Sequence, residues 1–346
     1  MAPLEIAFRF STSVDNMEAL GNGHINDTYL ATTAENRFVL QKINSRVFPR
    51  PELIMANLEV LNRHVEQAET DGIMLKIPKL IPTVSGQFCT LDDQGEYWRA
   101  LTYIENSESL ETISHLSQAE QVGLALGQFH RLTRNLDSTS LYDTLPGFHI
   151  APNYMAQYRQ IEQQSTVKKD VYCQSVIAGF GNRVNDLESA KEKGLLTVRT
   201  IHGDPKLNNF LFDKDSGRII SVVDLDTVKP GLIHYDIGDC IRSSCLAVNG
   251  EFDLTVCSTL LKAYLNEMGA AFTKSDFELL YPAIRLLPFE LGLRFYTDYL
   301  DGNRYFKVTD IDDNLNRAIG QFRLCENVMA QEAEIRAVIS PHFDSN

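Results

Sequence analysis

Residues 202 to 228 constrain the fold more tightly than any other stretch of this chain. The polar run HGDPKLNN (202–209) leads into FLFD, a KDSG turn (214–217) and then RIISVVDLDTV (218–228). Two apolar runs around a short turn closed by glycine predict a β-hairpin. With Asp213 and Arg218 flanking the turn and no bulge, Asn209 lies opposite Val222. Asp224, two residues further along, then shares the face of Asn209 at a diagonal backbone separation of about 7–8 Å. An amide oxygen and a carboxylate so placed can share one divalent cation, and a few hard oxygen ligands suit Mg²⁺ bound to substrate phosphates. Asp204, in the loop ahead of the hairpin, can accept the proton of an attacking hydroxyl. Lys206 can neutralise charge on a transferring phosphoryl group. The same residue types also build ordinary polar loops. The hairpin and the second acid raise the pattern above that background.

At 346 residues the chain exceeds one average domain, and two lobes are expected. A hydrophobic content of 44% with 23% charged residues allows a sizeable core. The net charge of −14 argues against nucleic-acid binding through a basic patch. Six scattered cysteines without a C-x-x-C pair predict reduced thiols, and His24 and His234 lack zinc-ligand spacing. No signal-peptide pattern or bilayer-length apolar run is present, so a cytoplasmic protein without membrane association is expected.

The first hundred residues predict β-β-helix-β-β: a strand–turn–strand over 19–33, a strand at 37–43, a helix over 49–69 and two strands around DDQGE. The helix starts at Pro51, with Ile54, Leu58, Leu61 and Val65 at helical spacing. SQAEQVGLALGQFHRLTRNL (117–136) reads as a helix with His130 as a core histidine, and from about residue 245 to the end helical patterns dominate, interrupted by Pro282 and Pro288. The boundary falls near residue 105.

His202-Gly203-Asp204 with Asn209, followed by VVDLD, resembles the protein-kinase pattern H-R-D-x-x-x-x-N followed by Asp-Phe-Gly. The H-G-D and D-L-D forms resemble the aminoglycoside phosphotransferase and choline kinase superfamily, and Lys206 is like the protein-kinase catalytic lysine. Within that group, GNGHINDTYL (21–30), FVLQKINSRVF (38–48), VVDLDTVKPGLIHYDIGDCIR (222–242) and LRFYTDYLDGNRYF (293–306) look like the N-acetylhexosamine 1-kinases.

The resemblance implies a two-lobed α+β fold of protein-kinase type. Residues 1–105 form a small antiparallel-sheet N-lobe that binds nucleotide. Residues 106–346 form a larger, mostly helical C-lobe with the catalytic loop and the acceptor site. It implies ATP, Mg²⁺ and phosphorylation of N-acetylglucosamine or N-acetylgalactosamine at C1. Asp204 becomes the catalytic base and Asn209 and Asp224 the metal ligands. GNGHIN takes the place of the glycine-rich loop, setting Gly21, Gly23, His24 and Asn26 beside the phosphates. Lys42 is the strand lysine, with Gln41 on the opposite face left open as the alternative, and Glu59 is the partner acid. The adenine lies against the 102–106 connector, and Asp236 and Asp239 hold the catalytic loop. Arg294, Tyr299 and Asp301, with Arg304, meet a small-molecule sugar acceptor. Kinases of aminoglycosides, choline, homoserine or thioribose are the rival readings. A silent kinase-like binding module is disfavoured because the base and both metal ligands are present.

Overall fold

The computed structural model describes residues 3–21, 25–68, 72–247 and 249–343. A short helix, α1 (Pro3–Ala7), precedes the strands β1 (Asn16–Ala19), β2 (Asp27–Thr32) and β3 (Arg37–Lys42). Helix α2 (Pro51–Gln67) follows, then β4 (Leu80–Ile81), β5 (Thr90–Leu91) and β6 (Tyr97–Thr102). These strands form one antiparallel sheet in the order β1-β2-β3-β6-β4, with β5 also paired to β6. The helix sits between two sets of strands as expected, but each set has three strands rather than two, and α1 precedes them.

The sheet has two unlike faces, as strand alternation requires. Phe38 and Leu40 of β3 join Trp98 and Ala100 of β6 in a small outer core, closed by Ile6 and Phe10. Val39, Gln41, Arg99 and Leu101 take the other face, where Leu101 packs into the main core. That main core runs through both lobes, bringing Ile54, Leu58 and Leu61 of α2 together with Phe129, Phe210 and Ile237.

After β6 the chain enters β7 (Ser107–Ser109) and the helices α3 (Leu116–Leu132), α4 (Ala151–Gln164), α5 (Val171–Phe180) and α6 (Asp186–Glu192). Strands β8 (Arg199–Ile201), β9 (Phe210–Asp213), β10 (Ile219–Val222) and β11 (Lys229–Gly231) come next. They form a β10-β9-β7 sheet and a β11-β8 ladder, which bracket the loop 202–209. Helices α7 (Ile233–Ser244), α8 (Leu254–Met268), α9 (Lys274–Glu278), α10 (Leu280–Leu300), α11 (Asp313–Ala330) and α12 (Glu332–Phe343) complete the two-lobed α+β arrangement.

Pro282 and Pro288 do not interrupt the helices as expected. Pro282 falls in the first turn of α10, where an N–H has no helical partner. Pro288 lies inside α10, which continues through it because the helix is buried along most of its length. Tertiary packing there outweighs the lost backbone bond. All six cysteines are free. Among the described residues no helix is long and apolar enough to cross a membrane.

Helices α3 and α8 meet at glycine. A Cβ on Gly123 would stand 2.1 Å from the Leu260 carbonyl oxygen, so any side chain forces the helices apart. Gly123→Ala is expected to cost about 2 kcal/mol through overpacking, seen in calorimetry as a melting temperature lowered by several degrees.

Candidate active site

The loop between β8 and β9 is held almost wholly by its backbone. Asp236, in the first turn of α7, accepts the N–H of His202 at 2.7 Å and of Gly203 at 2.8 Å. The same carboxylate meets His130 Nε2 at 2.9 Å, while His130 Nδ1 lies 2.8 Å from the Tyr264 hydroxyl. His130 is thus the satisfied core histidine expected. His202 places Nε2 3.0 Å from the Val223 carbonyl, and Thr227 Oγ1 donates to the His202 carbonyl at 2.9 Å. Gly203 has φ +88°, and a Cβ there would sit 2.5 Å from the Thr227 carbonyl oxygen. Glycine is therefore the residue this turn accepts.

Asp239, the other acid expected to hold the loop, instead pairs with Arg242 Nε at 2.8 Å.

The hairpin that brings in Asp224 is present with one departure. Ile219 pairs with Phe212, but Ser221 pairs with Leu211 and Val222 with Phe210. Ile220 is the bulged residue, and its carbonyl accepts the Lys76 N–H at 2.7 Å. Asn209 consequently faces Val223, whose N–H donates to the Asn209 carbonyl at 2.9 Å, and the bulge-free register is wrong by one. Asp224 reaches the site nonetheless. Its left-handed backbone, φ 63° and ψ 51°, ends the strand, and its carboxylate lies 3.7 Å from Lys206 Nζ.

Lys206 Nζ is also 2.6 Å from Asp204 Oδ2, so one ammonium stands between the two acids. Asn209 Nδ2 donates to the Asp204 carbonyl at 2.8 Å; its amide oxygen makes no hydrogen bond among the described residues. Asp204, Lys206, Asn209 and Asp224 therefore converge. Burial pushes the Asp204 carboxyl up, and Asp239 and Asp224 add to this, against the pull of Lys206. Burial opposes the charge on Lys206, but Asp204 and Asp224 outweigh it and hold the ammonium above its usual range.

On the nucleotide side the expectations fare unevenly. Gly21 has φ +68° with open space around it, whereas Gly23 and His24 lie outside the described residues. Asn26 is buried and used at both ends: Nδ2 donates to Asp226 Oδ2 at 2.8 Å, and Oδ1 accepts the Asn44 N–H at 3.0 Å. It joins the lobes rather than offering its amide to phosphate. Lys42 falls on the outer face of the sheet, paired across the ladder with Asp27 and Trp98, and its ammonium binds Asp27 at 3.0 Å. Gln41 is the residue on the inner face, where its Oε1 accepts from Arg99 Nη2 at 2.7 Å. Glu59 pairs with Arg63 at 2.6 Å on the exposed side of α2, away from Lys42. Helix α2 is tied to the C-lobe by Asn57, whose Nδ2 reaches the carbonyls of Val228 and Tyr142, each at 2.8 Å.

Of the acceptor candidates, Arg294 feels the charge of Asp204 in the loop 202–209. Its guanidinium lies 5.1 Å from the ring centres of Phe148 and Tyr154 and 5.6 Å from that of Phe306. Asp204 and Glu290 are among the charges around it that sustain its protonation against burial. Tyr299 is 9% exposed and packs in the α10 core against Tyr296. Asp301 caps the C-terminal end of α10 beside the exposed Arg304, at 3.6 Å. Five residues turn Tyr299 to another side of α10 from Arg294, and Asp301 lies past the last turn of the helix, so neither meets the rings around Arg294.

His149 and Glu290 are a pair the sequence did not disclose, being distant in the chain with no motif around either. The His149 ring lies 3.1 Å from Glu290 Oε1 through Nδ1 and 2.7 Å from the Gly203 carbonyl through Nε2. Both nitrogens face acceptors, so the imidazolium is favoured. Burial opposes that charge, but Glu290, Asp239 and the Gly203 carbonyl raise the His149 pKa. A raised folded pKa stabilises fully below the unfolded value of about 6.5 and loses that contribution as pH climbs through the folded value. Urea unfolding is therefore expected to find His149→Gln less stable than the parent by about 1–3 kcal/mol near pH 6, with the gap shrinking at alkaline pH.

The chain resembles solved phosphotransferases along nearly its whole length. An aminoglycoside phosphotransferase from Alicyclobacillus acidocaldarius matches with a TM-score of 0.66 at 14% identity, covering 99% of this chain and 97% of that one. A spectinomycin phosphotransferase in complex with ADP and spectinomycin matches at 0.59 and 13% identity, covering 92% and 94%. A choline kinase from Streptococcus pneumoniae matches at 0.54 and 16% identity, covering 94% and 98%. At these identities the likeness establishes the fold. The model of the phosphotransferase enzyme family matches residues 16–270, which is most of the chain, and the protein belongs to that family.

Proposed function

We propose that this phosphotransferase is an ATP- and Mg²⁺-dependent small-molecule kinase that phosphorylates the anomeric hydroxyl of an N-acetylhexosamine. The convergence of Asp204, Lys206, Asn209 and Asp224 carries the reading, with Lys206 Nζ 2.6 Å from Asp204 and 3.7 Å from Asp224. Residues 1–105 hold the nucleotide, its adenine at the 102–106 connector, and residues 106–346 hold the acceptor.

The donor set fits Mg²⁺. Among the described residues the Asn209 amide oxygen has no hydrogen-bond partner, and the Asp224 carboxylate faces a cation, Lys206. These two would ligate the ion, which supplies charge neutralisation on the phosphates when bound. Asp204 orients the acceptor hydroxyl and takes its proton. The acceptor oxygen bonds to the γ-phosphorus as the bond to the ADP oxygen breaks. Lys206 moves its ammonium from Asp204 toward the transferring group. Since the transition state is loose, positioning and electrostatics contribute most of the acceleration.

The half-buried charge of Arg294, within electrostatic reach of Asp204, supports a neutral, hydroxyl-rich acceptor over a polycationic aminoglycoside or choline, which that guanidinium would repel. The sugar itself is supported by the motif resemblance across residues 21–30, 38–48, 222–242 and 293–306.

Three outcomes follow. Asp204→Ala is expected to lower turnover by about a thousandfold, in a coupled ADP-release assay, while ADP binding by calorimetry persists. Arg294→Met is expected to raise KM for the sugar about tenfold or more, with KM for ATP little changed. Phosphorus NMR of the product is expected to give an anomeric phosphate. Turnover of aminoglycosides or amino alcohols with none of sugars would replace the sugar reading by the rival one.

A further inference from the structure

The inner face of the N-terminal sheet, tied to the helical lobe through Arg99 and Asp226, lacks the lysine anticipated there. Lys42 shares the outer face with Phe38 and Leu40, and the inner position beside it is filled by Gln41, which carries no charge. A cation is nevertheless present on that face. Arg99 of β6 stands directly across the ladder from Gln41 and is 1% exposed.

The contacts of Arg99 are unequal. Nε and Nη2 both donate to Gln41 Oε1, at 3.1 and 2.7 Å, and Nη2 forms an ion pair with Asp226. Nη1 is buried with no hydrogen-bond partner among the described residues. Asp226 follows the metal-ligand candidate Asp224 by two positions and feels its charge, so the guanidinium is tied to the segment that carries that candidate. An orphaned donor on a permanently charged, fully buried group is costly to retain. Phosphate oxygens are the acceptor that a guanidinium fork matches best.

We propose that Arg99 is the phosphate-binding cation of the N-terminal lobe, serving across the strand pair the role a lysine at position 41 would serve. Gln41 and Asp226 are its positioning residues, holding the guanidinium until the phosphates of a nucleoside di- or triphosphate arrive. The inference rests on the cleft binding a nucleotide, as set out above.

The rival account makes Arg99 a structural tie between lobes, and nucleotide binding separates the two. The test is calorimetric titration of the full chain with ADP and with adenosine. Arg99→Gln is expected to lower ADP affinity at least tenfold while adenosine affinity stays within about twofold, so the preference for ADP collapses. The double variant Gln41→Lys with Arg99→Gln returns a cation to the same face and is expected to recover most of that preference. An Arg99→Gln protein that keeps the parent ADP-to-adenosine ratio, whatever its melting temperature, overturns the proposal.

Should Arg99→Gln not fold, parent protein carrying ¹⁵N-guanidinium arginine decides the matter. A buried guanidinium signal that shifts with ADP and not with adenosine, and is missing from Arg99→Lys, supports the role. No such shift refutes it. A parent that binds no ADP removes the nucleotide reading and this inference together, whereas an unchanged ratio in the variant removes this inference alone.

Discussion

The carboxylate of Asp236 is the constraint on which the rest of the site depends. It is fully buried, which a charged group tolerates only with partners for its oxygens. Those partners are two successive backbone N–H groups of the loop 202–209 and the ring of His130. One side chain thus joins α7, α3 and the loop into a single body. His149 grips the Gly203 carbonyl, itself backed by Glu290. The orientation of Asp204 is inherited from buried groups that hold the loop backbone, and the left-handed turn at Gly203 is what lets the backbone satisfy all of them.

A second buried network crosses between the lobes. Asp226 receives Asn26 and Arg99 from the N-terminal sheet on its side chain, and Thr144 from the helical lobe on its carbonyl. Lys76 pairs with Ile220 through backbone N–H and accepts Ser221 Oγ at its carbonyl, linking the two lobes again beside the bulge. Burial of so much polarity is tenable because nearly every atom is matched. The segment 224–226 is therefore registered against both lobes at once, with Asp224 facing the catalytic loop and Asp226 facing the sheet.

Local patterns carried much of this into the sequence. Period-two apolar runs and glycine-ended turns announced the hairpin, and helical spacing announced α2 and α3. The polar residues of 202–209 with Asp224 were legible because their spacing is set by a hairpin. The bulge at Ile220 was not, since it answers to Lys76, far away in the chain. Alternation on β3 did say that Gln41 and Lys42 point oppositely, but which face meets the cleft depends on α1 covering the other one. Tyr299 and Asp301 looked like an acceptor cluster because they are close to Arg294 in sequence. Tyr299, five residues on, is turned into the α10 core and Asp301 lies past the helix end, and of the three it is Arg294 that meets Phe148 and Tyr154. His149 with Glu290, and Arg99 with Asp226, are long-range pairs that no local pattern encodes.

Asn57 carries a consequence for control. Kinases of the regulated kind switch by displacing the helix that follows the third strand, which makes or breaks its ion pair with the sheet. Here, among the described residues, that helix makes no ion pair with β3, because Glu59 looks to solvent and Lys42 lies on the far face; its Glu66 pairs instead with Lys79 beside β4. Its buried amide is anchored instead to Val228 and Tyr142. A helix moored to the helical lobe in this way is a fixed wall rather than a lever. Any displacement of α2 would first have to break the hydrogen bonds of Asn57 to Val228 and Tyr142.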